Sequence, residues 1–169
     1  TYTIWEIDPT VLGFSFYQGA GVGTEEEEED TTTTSGSSGG GGGGTASTTT
    51  SSLGSASQMW AIVPKGTTTM NIDDTKVGMT KLVILIEKEL TNVELAVSSF
   101  SEKPSTVSNE APDVVFQYLQ ITETNIGDSD VNGVSISFRV EKTWITDNNL
   151  DVSSVQLLRY SGDSWTELT

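Results

Sequence analysis

The sequence predicts an all-β chain: a β-sandwich of roughly eight to nine strands with one short helix. Three observations predict it. From Met59 onward, short apolar runs are separated by turn-forming residues at short intervals. Val134, Ile136, Phe138 and Val140 alternate strictly with Ser135, Ser137 and Arg139, the pattern of a half-buried strand. Only Lys142 to Asn149 breaks the strand period, over a length of about two helical turns.

Taken in order, Thr1 to Tyr17 reads as strand. Tyr2, Ile4, Trp5 and Ile7 are apolar in both parities, as in a strand covered on both sides. Asp8-Pro9-Thr10 is a turn, and Val11 to Tyr17, with Phe14 and Phe16, resumes the strand. Residues 1–23 form an N-terminal strand segment. Residues 24–58 are a linker, with a run of acids from Glu25 to Asp30, hydroxyl-rich blocks at Thr31–Thr34 and Thr48–Ser52, and six glycines from Gly39 to Gly44. That composition cannot bury enough apolar surface to fold alone. As a coil of about 35 residues it would span roughly 30 Å on average and up to ~120 Å extended. The acid run would bind calcium loosely or, as we favour, act as a solvated spacer.

Residues 59–169 form the sandwich domain. Met59–Val63 is a strand, Pro64-Lys65-Gly66 a turn and Thr67–Ile72 the next strand. Leu82 to Ile86 is an unbroken apolar run, expected as a central strand covered on both faces. Val93, Leu95 and Val97 alternate as its expected hairpin partner. Phe100–Pro112 is a long loop with two prolines, Val114–Thr124 a long strand and Asp128–Gly133 a turn. After the strand from Val134 comes the short helix, where Asn148-Asn149 suits the left-handed residue that ends a helix. Val155–Tyr160 and Trp165–Leu168 pair through a hairpin turn at Ser161-Gly162-Asp163.

Composition narrows the function classes. With 24 acidic against 8 basic residues the net charge is −16, which disfavours nucleic acid and anionic membrane surfaces as partners. Histidine and cysteine are both absent, so the commonest general base, the commonest metal ligand and any disulfide are excluded. There is no phosphate loop, carboxylate pairs such as Asp73-Asp74 sit in polar loops, and Glu87 to Glu89 flanks the apolar strand as a charged guard against aggregation. No enzyme constellation stands out, and no cofactor is expected. No stretch is apolar and long enough to span a membrane, and Asn-x-Ser/Thr is absent. A first residue other than Met suggests a processed chain.

One metal-like pattern exists. Asp128-Ser129-Asp130-Val131-Asn132-Gly133 has oxygen ligands at alternate positions and a glycine at the sharp turn, as in the first half of a calcium loop. Asp128, Asp130 and Asn132 are the candidate calcium ligands. The bidentate acid that should follow is replaced by Arg139, so the competing reading is a polar turn. Trp60, Trp144, Tyr160 and Trp165 offer either a sugar-stacking platform or, as we favour, core filling.

Lys142-Thr143-Trp144-Ile145, Asn148-Asn149-Leu150-Asp151, Val155-Gln156-Leu157-Leu158-Arg159-Tyr160, Gly162-Asp163 and Ser164-Trp165-Thr166-Glu167-Leu168 form an ordered set of motifs. That set resembles the PGF-pre-PGF domain of archaeal cell-surface proteins. Upstream, Glu102-Lys103-Pro104 and Val115-Phe116-Gln117-Tyr118-Leu119-Gln120-Ile121 are similar to further family segments, so the resemblance covers roughly residues 60–169. Gly13-Phe14-Ser15-Phe16-Tyr17 resembles the family's closing strand, with Leu12 where the family has proline. Here that strand precedes the domain it should close. The resemblance implies an extracellular, non-enzymatic surface protein. It leads to an expected structural subunit of an archaeal filament or surface layer, whose partners are identical subunits. Tyr2, Ile4, Trp5, Ile7, Phe14 and Phe16 are then the subunit interface, donated to a neighbour by β-strand addition. Two alternatives stay open. One is an adhesive or carbohydrate-binding module on a stalk, with the N-terminal strand folded back on its own domain. The other is a fragment of a chain of repeated domains.

Overall fold

Alternating burial along the strands builds two antiparallel sheets around one core. The computed structural model describes residues 2–7, 16–21 and 51–168, the first two segments as backbone alone. Ten strands are present among them: β1 Tyr2–Ile7, β2 Phe16–Gly21, β3 Gly54–Val63, β4 Gly66–Asn71, β5 Met79–Ile86, β6 Leu90–Phe100, β7 Val114–Thr124, β8 Val131–Glu141, β9 Val155–Ser161 and β10 Ser164–Leu168. One α-helix, α1 Lys142–Asp147, joins β8 to β9. Sheet A has the order β1-β8-β5-β4 and sheet B the order β10-β9-β2-β7-β6-β3. The domain proper contributes eight strands, as expected, and β1 and β2 complete the two sheets. The chain is all-β.

Leu82, Ile84 and Ile86 of sheet A and Val93, Leu95 and Val97 of sheet B are buried in the same apolar cluster, joined by Ile136, Leu119 and Leu157. Each inner face supplies alternate residues, so the cluster is the filling between the two sheets. A fully buried aliphatic side chain of this kind contributes about 1.5–3 kcal/mol. Trp60, Phe116 and Trp144 pack against the rim of the cluster.

Several local readings hold. β7 spans Val114–Thr124 as expected. Asn149 takes φ 53° after α1, the left-handed geometry that asparagine tolerates. Gly162 and Asp163, at φ 58° and 62°, form the two-residue turn between β9 and β10, where both central residues need positive φ.

Four expectations are corrected. β5 and β6 are not a hairpin: they lie in different sheets. At the end of β5 the Glu87 N–H donates to the Asp130 carbonyl at 2.9 Å, and Leu90 turns into the core, so the chain rounds a corner. β5 is central, between β4 and β8, but not covered on both faces, because Leu85 is 41% exposed on the outer face of sheet A. β8 begins at Val131, not Val134, because Val131 is buried and pairs with Ile86. β3 begins at Gly54, inside the expected linker. Small residues there alternate inward and outward while pairing with β6 from Ser99 to Leu95.

Candidate strand-acceptor site

β2 lies inside sheet B, antiparallel to both β7 and β9, although it comes from the far N-terminal end of the sequence. Phe16 stands opposite Gln120 on one side and Tyr160 on the other; Gly21 stands opposite Val114 and Val155. The register slips between Gly19 and Ala20, opposite β7 near Phe116. β1 adds to the free edge of β8, with Tyr2 opposite Glu141 and Ile7 opposite Ile136. The N-terminal segment therefore supplies one strand to each sheet, an interior one and an edge one.

The walls of the β2 slot are β7 and β9, and their alternation gives it a floor and a roof. Leu119, Ile121 and Leu157 face the main core. Tyr118, Leu158 and Tyr160, on the opposite face, are also buried, at 4%, 4% and 8% exposure. The loop between β6 and β7 reaches over this face to Tyr160. Val107 of that loop is 1% exposed. Its Ser108 N–H donates to the Tyr160 hydroxyl at 3.1 Å, and that hydroxyl donates to Asp163 Oδ1 at 3.1 Å. Trp165 Nε1 donates to the Asn109 carbonyl at 3.2 Å, and Asn109 Nδ2 donates to the Asp163 carbonyl. Lys103 holds the loop's own bend, donating to the Val107 carbonyl at 2.9 Å and pairing with Glu110 at 3.3 Å. The Trp165 ring lies 5.0 Å from Tyr160 and 6.1 Å from Tyr118, centroid to centroid. Burial, and then the nearby Glu110 charge, push the Tyr118 hydroxyl above its ordinary value.

At one end of the sandwich a cavity of about 500 Å³ is lined by Lys76, Gly78, Phe116, Gln117, Arg139 and Glu141. Gln117 ties the sheets together there. Its Oε1 accepts from the Gly78 N–H at 2.8 Å, and its Nε2 donates to the Lys76 carbonyl at 2.7 Å. Arg139 Nη2 donates to the Asp74 carbonyl at 3.2 Å.

The predicted site residues fare differently. For Tyr2, Ile4, Trp5, Ile7 and Phe16 the strand pairing is described but the side chains lie outside the described residues, as does Phe14 altogether. Asp128 and Asp130 sit in one 3-10 turn, Asp128–Asp130, and Asn132 follows, exposed, in β8. The Asp130 carboxylate is already engaged, with Lys88 Nζ at 2.6 Å and the Gly127 N–H at 3.0 Å. Those two contacts, Lys88 first, hold its carboxyl below the ordinary value. Among the described residues no group of three or more carboxylates gathers to hold a metal ion. The aromatics divide. Trp144 meets Phe116 edge-on at 5.2 Å, Trp60 packs on the core rim, and Tyr160 with Trp165 belongs to the roof of the slot. Trp60 and Trp144 thus pack, half-buried, against the core.

Sequence reasoning missed Gln117 and the loop residues Ser108 and Asn109. A polar residue in an apolar strand was the available signal for Gln117; nothing local marks the loop residues, whose partners lie more than fifty positions away. Among the described residues no helix is long and apolar enough to cross a membrane. No protein-family model, curated protein or solved structure matches the chain.

Proposed function

We propose that this protein is a structural subunit of an extracellular filament or surface layer, assembled by donating its N-terminal strands to a neighbouring subunit. The observation that carries the reading is the position of β2. It is an interior strand of sheet B, and without it β10-β9 and β7-β6-β3 share no strand contact within that sheet. A strand with six register pairs on each side makes about a dozen main-chain hydrogen bonds, at roughly 0.5–1.5 kcal/mol net each, on the order of 10 kcal/mol. The sequence between β2 and β3, about 30 residues, can reach up to ~100 Å. That reach covers an adjacent subunit as readily as the same one. A head-to-tail contact of this kind need not close, so it propagates. The motif resemblance to archaeal surface domains supports an extracellular setting, and the acidic composition supports solubility on a crowded surface.

A second reading is favoured by one observation: in the structure β1 and β2 pair with β8, β7 and β9 of their own chain. That is the self-closed adhesive module. Because the chain has no cysteine, the two readings separate cleanly. Gln18 and Leu158 stand opposite each other across β2 and β9. In the double variant Gln18→Cys, Leu158→Cys, oxidation after assembly should give a covalent ladder on a non-reducing gel. An internally bridged monomer alone would establish self-closure and end the filament proposal.

A further inference from the structure

We infer that the β6–β7 loop, Ser101 to Asp113, is a clasp that keeps the β2 slot formed when β2 leaves, so that the slot stands ready for β2 of a second copy. The inference rests on the strand-exchange reading and gives it a physical route. An interior strand is ordinarily a poor candidate for exchange, because its departure should unfold both neighbours. In sheet B that hazard falls on the β9–β10 hairpin, whose strand pairing to the rest of the sheet runs through β2.

The structure provides a second attachment that bypasses β2. β7 and β10 are three strand spacings apart, roughly 14 Å. Yet the Tyr118 ring of β7 reaches to 6.1 Å from the Trp165 ring of β10, across the outer face of the intervening strands. The loop then fastens the hairpin by three main contacts, each from a described residue: Ser108 N–H to the Tyr160 hydroxyl, Trp165 Nε1 to the Asn109 carbonyl, and Asn109 Nδ2 to the Asp163 carbonyl. A fourth, Ser108 Oγ to Asp163 Oδ1 at 3.2 Å, reinforces them. Asp163 is one of the two left-handed residues of the hairpin turn itself. On the inner side Leu157 and Leu168 stay in the main core. None of these contacts uses a β2 side chain. Removing β2 therefore opens main-chain hydrogen-bonding edges on β7 and β9 while both strands remain anchored above and below. Such a slot, with two unpaired edges facing one another, fits an extended segment with the spacing of β2 itself. The occupant is the β2 of another subunit, since that segment already pairs with both edges, in continuous register with β9 over six positions and with β7 through one irregularity at Gly19 and Ala20.

The test is hydrogen exchange by mass spectrometry on the full chain, following peptides that cover β2 and β10. The clasp predicts that β2 opens alone: its amides exchange at least about tenfold faster than those of β10. In the variant Tyr160→Phe, Asn109→Ala, which keeps the ring but removes the hydroxyl and amide contacts, β10 should exchange within about threefold of β2, with β5 and β6 unchanged. A single common rate for β2 and β10 in the parent overturns the inference, and that measurement stands even if the variant fails to fold. An undiminished gap in a folded variant overturns it too. The outcome is separable from the covalent ladder. A ladder with a common rate keeps exchange and discards the clasp; a gap without a ladder keeps the clasp and discards exchange between copies.

Discussion

Replacing Gln117 tests the reading that one buried side chain ties the two sheets together. Gln117 is 6% exposed on β7 and bonds the Gly78 N–H and the Lys76 carbonyl, just ahead of β5 in the other sheet. In Gln117→Ala the Lys76 carbonyl keeps the Ser99 hydroxyl, which donates to it at 2.9 Å. The Gly78 N–H is left without its acceptor. An orphaned buried group costs about 1–3 kcal/mol and the second lost bond about 0.5–1.5. The adjoining cavity of about 500 Å³ admits water to the orphan, which favours the lower end, roughly 2 kcal/mol. For a chain of this size that lowers Tm by about 4–8 °C. Gln117→Glu sharpens the test. One carboxylate oxygen still accepts from Gly78, but the other faces the Lys76 carbonyl and can donate only when protonated. Burial and that carbonyl both raise the folded-state pKa of the new carboxyl. The raised value means that its stabilisation is full below the unfolded pKa and is lost as pH rises through the folded one. Urea unfolding followed by tryptophan fluorescence should therefore show Gln117→Glu near the parent at about pH 4 and losing stability relative to it towards pH 7. Gly78→Ala should also destabilise, because its new Cβ would fall 2.3 Å from Gln117 Oε1. A Gln117→Ala variant within about 0.5 kcal/mol of the parent, or a pH-independent deficit in Gln117→Glu, would refute the cross-sheet tie.

Three further outcomes are expected. Gly162→Val should cost about 1–2 kcal/mol by urea denaturation, from backbone strain alone, since Gly162 has φ 58° and nothing within 4 Å of an added Cβ. The Asp130 carboxyl, held below its ordinary 3.8 chiefly by Lys88, contributes stability that is present above that value and lost as pH falls through the lower folded value. Lys88→Met should flatten this acid limb of the stability–pH curve, and an unchanged limb would show the ion pair to be inert. Because Asp130 is engaged, millimolar calcium should leave Tm unchanged; a rise that disappears in Asp130→Ala would instead restore the calcium loop.

What the sequence determined by itself is the set of local states. The apolar run between two turn-rich stretches marked β7 from Val114 to Thr124, the positive φ at Asn149 and Gly162 followed from residues that tolerate it, and the period change placed α1. These depend on neighbours a few positions away. Tertiary structure decided which strands share a sheet. Glu87 to Glu89 could turn back as a hairpin or round a corner, and the Glu87 N–H bond to the Asp130 carbonyl selects the corner. It likewise decided that Gly54 to Gln58, too small and polar to signal a strand, pairs with β6. The acceptor slot was legible only as a missing closing strand. That its walls are β7 and β9, that β1 and β2 go to different sheets, and that Asn109 reaches Trp165 are contacts between residues far apart in the chain. No local pattern encodes them, because they are set by which faces the packed core leaves to be covered.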